Sequence, residues 1–292
     1  MRKIAVAFTL LTLMAAGVVA QGQSAPTLRI VTEDPTLPSE LFYGNIKVKP
    51  LRLRPGTNTP ITIDDSDFFI HQHYIDFLSR MAETGGFNDW MAYLNGCPGG
   101  DPICLHDRRL VASAGFFGSP EFRNKGYFAY RFYKASLGRQ PLYTEMVADM
   151  RTLTGTAAEV EAKRTAFANA WVNRTDFLAS FPNGMAPTAF VDGILQVAGI
   201  TVANRNQIIS DLSANNTPTG RAAALRAIVE SPEEDLKEFN RAFVYMQYVG
   251  YLRRDPEEQG YNNWLNYLNA NPQNQSEMIR GFVDSIEYRN RF

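Results

Sequence analysis

One segment of this chain is written twice without a gap. Phe69, Tyr74, Leu78, Arg80, Gly86, Trp90 and Leu94 recur as Phe243, Tyr248, Leu252, Arg254, Gly260, Trp264 and Leu268, each pair 174 residues apart. A chain that repeats a unit is confined to architectures in which each unit buries its apolar face against a neighbour. Such architectures build scaffolds and binding surfaces.

The spacing inside the repeat is helical. Ile70, Tyr74, Phe77 and Leu78 fall at i, i+4, i+7 and i+8, and Val244, Tyr248, Tyr251 and Leu252 keep the same intervals. A second helix carries Phe87, Trp90, Met91 and Leu94, matched by Tyr261, Trp264, Leu265 and Leu268. A third carries Phe116 and closes at Ser119-Pro120-Glu121-Phe122; its counterpart has Phe282 and Ser285-Ile286-Glu287-Tyr288. There the offset falls to 166, so the first unit holds eight extra residues, placed at a loop bounded by Cys97 and Cys104.

Two weaker units lie between. Phe128, Tyr133, Leu137 and Arg139 match the first unit at an offset of 59, but this unit lacks the Gly and the Trp. Another starts near Phe190 and ends at Ile228-Val229-Glu230-Ser231-Pro232-Glu233, keeping little beyond apolar spacing. The expected fold is all-α, with four helical repeat units of about three helices each. Units one and two occupy 67–181 and units three and four 182–292, divided at Phe181-Pro182-Asn183-Gly184-Met185-Ala186-Pro187.

Two segments precede them. Residues 1–20 read as a secretory signal peptide: basic Arg2-Lys3, an apolar run from Ile4 to Val19, and small residues ending at Ala20 before Gln21. Residues 21–66 form a Pro-rich arm, extended or with short strands at Leu28–Val31 and Ile46–Val48, because its prolines argue against helix. The location this implies is outside the cytoplasm: extracellular, cell surface or periplasm. No span is expected in the mature chain.

Composition narrows the partners. With 29 Lys+Arg against 30 Asp+Glu and a net charge of −1, there is no basic excess to draw phosphate backbones, so nucleic acid is excluded as a partner. The two cysteines, Cys97 and Cys104, flank the turn-forming Pro98-Gly99-Gly100-Asp101-Pro102, and an exported chain would join them as a small-loop disulfide.

The last unit gives the motif a physical reading. Leu252-Arg253-Arg254 ends a helix, Asp255 caps the next, and Pro256 fits its first turn. Glu257 and Glu258 sit at the positive end of the dipole, Gly260 permits close helix approach, and Trp264 supplies apolar area.

At these residues the chain resembles a bacterial repeat family, the domain of unknown function 4214. The likeness rests on Tyr248-x3-Leu252-x-Arg254-x-Pro256-Glu257-x2-Gly260-x3-Trp264 and the closing Ser285-x-Glu287-Tyr288. The first unit fits through Tyr74, Leu78, Arg80, Glu83, Gly86, Trp90 and Ser119-Pro120-Glu121-Phe122, with Ala82 where Pro is usual. Units two and three depart much further. The resemblance implies a helical accessory or assembly module attached to exported, surface-layer, adhesive or carbohydrate-active proteins. It is similar, more distantly, to the helical linker domains of phycobilisomes. It carries no catalytic residues across.

Candidate chemistry is sparse. His71 and His73 lie at i and i+2 of a helix, on different faces, and His106 stands apart, so no metal site is expected. Neither a Gly-x-Ser-x-Gly nucleophile nor a Gly-rich phosphate loop occurs, and no cofactor is expected. The acidic runs Asp64-Asp65 with Asp67 and Glu233-Glu234-Asp235 read as helix openers. Arg80, Arg139 and Arg254 have two readings. Either each ties off a helix end with a nearby Glu, or Arg80 with Trp90 and Arg254 with Trp264 form pockets for sugar or carboxylate.

The resulting expectation is an exported, non-enzymatic helical repeat protein acting as a surface or extracellular assembly or binding module. Its partners would be cell-surface or extracellular proteins, or polysaccharide. The alternative is a carbohydrate-binding or carbohydrate-active accessory.

Overall fold

The computed structural model describes residues 28–31, 40–43, 46–48, 53–54 and 56–292. The signal-peptide segment and much of the arm lie outside the described residues. Within the arm, β1 (Leu28–Val31), β2 (Glu40–Tyr43) and β3 (Ile46–Val48) form an antiparallel meander, with Leu28 opposite Tyr43 and Leu41 opposite Val48. Two of these strands were expected; β2 was not. Arg54 then ties the arm to the helices by donating to Asp65 at 2.6 Å and Asp67 at 2.8 Å.

The rest is helical. α1 (Ser66–Leu78), α2 (Thr84–Asn95) and α3 (Pro102–Gly118) come first. α4 (Pro120–Phe122) runs through a π-helical turn, Arg123–Tyr127, into α5 (Phe128–Leu137). α6 (Tyr143–Thr152), α7 (Ala157–Trp171) and α8 (Thr175–Ser180) follow, then α9 (Pro187–Ala198), α10 (Arg205–Ala214) and α11 (Pro218–Val229). α12 (Pro232–Gln247) also continues into a π turn, Tyr248–Leu252, before α13 (Glu258–Ala270), α14 (Gln275–Val283) and α15 (Ile286–Arg289). Among the described residues no helix is long and apolar enough to cross a membrane.

Local chemistry explains the boundaries. Ser119, Ser231 and Ser285 each place Oγ as acceptor for the backbone N–H three residues on, at 3.1, 3.2 and 3.1 Å. These serines therefore open α4, α12 and α15, and Ser119 and Ser285 also close the preceding helix, donating Oγ to the Phe116 and Phe282 carbonyls at 2.8 Å. Proline at the first position of α4 and α12 fits the same role. Asp255 is likewise not the cap of α13. Glu257 holds that place, because Arg254 draws its carboxylate back at 2.5 Å, while Asp255 accepts the Tyr143 N–H at 2.6 Å. Four helices end on a left-handed residue: Ser79 (φ 52°), Gly138 (φ 68°), Gly199 (φ 62°) and Arg253 (φ 54°).

Packing brings the start and end of the helical chain together. Phe77 meets Tyr251 at 5.0 Å and Phe117 meets Phe243 at 5.2 Å, so α1 and α3 lie against the α12 π turn and α14. Between them α5 packs on α9, α11 and α12, and α7 packs on α11. One hydrophobic core runs from Ile63 to Tyr288. The 181/182 division does not separate two cores, because the apolar face of α5 is covered by helices from beyond it.

Candidate functional site

Arg80 and Arg254 make the same joint with the same atoms. Arg80 donates Nε and Nη2 to the two carboxylate oxygens of Glu121, both at 2.7 Å, and Nη1 to the Met81 carbonyl at 3.0 Å and to Glu83. Arg254 donates Nε and Nη2 to Glu287 at 2.6 and 3.0 Å, and Nη1 to the Asp255 carbonyl at 3.0 Å and to Glu257. Each guanidinium also lies over a tyrosine, Tyr74 at 4.8 Å and Tyr248 at 5.2 Å. Arg139 repeats part of this: Glu145 accepts at 2.7 and 2.8 Å, the Gln140 carbonyl at 3.0 Å, and Tyr133 lies 5.1 Å away. The bidentate fork fixes the exit of one helix to the first turn of another.

The glycines serve the same joint. A Cβ at Gly86 would collide with the Tyr74 hydroxyl and the Glu83 carboxylate, and one at Gly260 with Tyr248 and Glu257. The glycine therefore admits a tyrosine hydroxyl and a glutamate, where close approach of two helices was expected.

Trp90 and Trp264 are not partners of these arginines. Each lies half-buried over a small residue of the next helix. A Cβ at Gly115 would stand 2.6 Å from the Trp90 ring, and one at Gly281 would stand 3.1 Å from Trp264. Trp90 also stacks on Phe116 at 5.7 Å, and Trp264 meets Phe282 at 6.3 Å. The Arg–Trp pocket reading is thus corrected: tyrosine occupies the face of each guanidinium, and the indoles plug the grooves between α2 and α3 and between α13 and α14.

Counting from the helix caps shows what happens elsewhere. Trp90 stands seven residues after the cap Glu83, and Trp264 seven after Glu257. Seven after Leu142 on α6 is Asp149, and seven after Asn204 on α10 is Asp211. The small residue four before the next cap is Gly115 or Gly281 in the plugged grooves, and Ala170 or Ala227 in these two. Where aspartate replaces tryptophan, the groove is open. Between α6 and α7 it measures about 450 Å³, lined by Asp149 and Thr152 of α6, by Lys163, Ala166, Phe167, Ala170 and Trp171 of α7, and by Arg174. Between α10 and α11 it measures about 230 Å³, with Asp211, Ala223 and Ala227 at the corresponding places.

The larger groove is apolar with a few polar groups, the usual character of a ligand site. Asp149 Oδ2 accepts the Tyr133 hydroxyl at 2.7 Å, and Arg174 stands 3.9 Å from it. Burial pushes the Asp149 carboxyl above the usual carboxylate range, against the pull of Tyr133 and Arg174. The Arg174 guanidinium covers the Trp171 ring at 4.3 Å, while Trp171 Nε1 donates to Ser136 Oγ at 2.9 Å. Sequence reasoning missed Asp149 and Asp211. The offset of 59 that matched Tyr133 and Arg139 carries Trp90 onto Asp149, but identity was sought there and position was not.

Residues 225–292, which hold the Tyr248, Arg254, Gly260 and Trp264 joint, match the family model described as Domain of unknown function (DUF4214). Over those residues the chain resembles a DUF4214 unit. No curated protein and no solved structure matches the chain. The Arg80 joint and the Trp90 plug reproduce the geometry of the DUF4214 unit outside the matched residues.

Other chemically suggestive groups find their partners within the fold. His73 Nδ1 donates to the Phe69 carbonyl at 2.9 Å, so Nε2 is the acceptor for the Ser113 hydroxyl at 2.8 Å. Ser113 is 0% and His73 1% exposed, and burial pulls the imidazole down to about 4. This serine–histidine pair is a core hydrogen bond with no path for a substrate. His71 stacks on Phe87 at 4.3 Å, and His106 meets Asp284 at 2.8 Å. Among the described residues no three His, Cys, Asp or Glu side chains converge as metal ligands would. Cys97 and Cys104 are joined in a disulfide with Cα atoms 5.8 Å apart, which ties the turn before α3 to the first turn of that helix.

Proposed function

We propose that the protein is an exported, non-catalytic assembly or binding module of four three-helix units, and that the groove between α6 and α7 is its binding site. One observation carries this reading. The position that holds an indole plug in two helix pairs holds aspartate in two others, and a groove of about 450 Å³ stands open at α6 and α7. The Arg, Gly and Trp of the repeated motif are consumed by internal joints, so they serve architecture and leave recognition to the departures from the motif. A helical joint built this way repeats without needing a ligand, which suits a module that presents a surface.

The carbohydrate reading keeps one observation in its favour. Trp90 with Tyr93, and Trp264 with Tyr267, form T-shaped surface pairs at 6.2 and 5.8 Å. Aromatic pairs of this kind offer faces to sugar rings.

Cosedimentation with a cell-envelope fraction and exopolysaccharide from the protein's own source tests the proposal. Saturable retention is expected. Retention competed away by soluble glycan, and lost with Trp90→Ala and Trp264→Ala, would transfer the site to the aromatic pairs. A hydrolase activity abolished by one substitution would overturn the non-catalytic reading.

A further inference from the structure

The two outer helix pairs show what such a groove accepts. Between α2 and α3, and again between α13 and α14, an indole lies over a glycine, beside a phenylalanine on the following position. The α6/α7 groove keeps that design with its own ring removed. Ala170 stands at the glycine position and Trp171 at the Phe116 position, while Ala166 and Phe167 extend the apolar lining. What the groove lacks is the side chain that α2 and α13 supply from within.

From this correspondence we infer that the α6/α7 groove receives an aromatic side chain, an indole, presented by a partner polypeptide. The inference rests on the binding-module reading and names the occupant of its site. The chemistry fits the place. Ala166, Phe167 and Ala170 take the apolar faces of the ring, which carry most of the transferable energy. Asp149 lines the groove with an acceptor carboxylate, so a ring N–H entering from outside meets a hydrogen-bond partner. Lys163 and Arg174 line the same groove, but Lys163 donates to the Thr154 carbonyl and Arg174 is held by Asp176 at 2.9 Å, so the groove does not select a free anion. The α10/α11 groove repeats the arrangement at about half the volume, with Asp211 in the place of Asp149.

The test uses the full chain, isotopically labelled, titrated with N-acetyl-tryptophanamide while amide shifts are followed by NMR. Saturable shifts at Asp149, Thr152, Ala166 and Ala170 are expected, at roughly millimolar strength for so small a probe. The double variant Asp149→Trp, Ala170→Gly rebuilds the internal plug. It is expected to fold, to melt no lower than the parent, and to lose the shifts at least tenfold. Ala166→Leu, on the exposed wall, gives a second reading should the double variant fail to fold, and is expected to weaken the shifts. Shifts that persist in a folded plugged variant, that gather at Trp90 or Trp264, or that arise only with a methyl glycoside would overturn the indole occupant. If those results appear while the envelope fraction still retains the protein, the binding-module reading stands without this occupant. If neither probe nor envelope binds, both fall.

Discussion

Glu234 stands third after its helix cap, where α4, α8 and α15 carry Phe122, Phe177 and Tyr288, all buried. It is 0% exposed, and burial, with Glu238 beside it, pushes its carboxyl up to about 7. Arg131 and Lys134 of α5 and Lys237 of its own helix oppose that rise without cancelling it. A carboxyl whose folded pKa lies above its unfolded value near 4.5 costs nothing below pH 4.5, and its penalty grows as pH rises through about 7. His73 works the other way. Its folded value of about 4, against 6.5 unfolded, removes stability as pH falls through the same range. The two nearly cancel in the total, so the prediction concerns a difference. Glu234→Phe should stabilise the protein, and by roughly 3 kcal/mol more at pH 8.5 than at pH 4.5. Denaturant titrations of parent and variant at both pH values measure this; a gain independent of pH would contradict the assignment.

At the scale of elements, the two π turns set how the long helices meet their neighbours. Gly250 lies in the second, and a Cβ there would run into the Phe77 ring. Helix propensity alone favours Gly→Ala by about 1 kcal/mol, but overpacking a filled core costs about 1–3 kcal/mol. Overpacking wins here because the atom struck is a buried ring packed between Phe117 and Tyr251. Gly250→Ala should therefore lower the thermal midpoint, and a rise would mean Phe77 has room to move. Helices α1, α2 and α13 were legible from Ile70, Trp90 and Leu265 because their apolar spacing is strong. The double role of Ser119 and Ser285 was legible only in part, since the spacing marks the end of one helix and the Oγ that also caps the next is seen only in its partners. Asp149 and Asp211 were invisible for a different reason: an aspartate on an amphipathic helix is an ordinary surface residue until the neighbouring pairs show a tryptophan in its place.

Across the whole molecule, buried charge ties α1 to Arg253 and Arg291. Asp76, its side chain 2% exposed, accepts from Arg291 at 2.9 Å through both oxygens, from Arg253 at 3.2 Å and from Gln72 at 2.9 Å. Burial pushes its carboxyl up, and Arg291 with Arg253 overcomes this and holds it below the usual range. Removing Asp76 would leave two largely buried guanidinium groups without their shared carboxylate, so this cluster is part of the fold. No periodicity announces such a pairing, because Asp76 and Arg291 are 215 residues apart. The outcome is a helical fold with one hydrophobic core, in which two indoles close their own grooves and two aspartates leave theirs open.

Hydrogen exchange of the full chain, with and without the envelope fraction that retains it, tests that division most directly. Added protection across 149–174, with 90–115 and 264–281 unchanged, is the predicted result. Protection confined to the two tryptophan-plugged pairs, or none anywhere despite retention, would contradict the account.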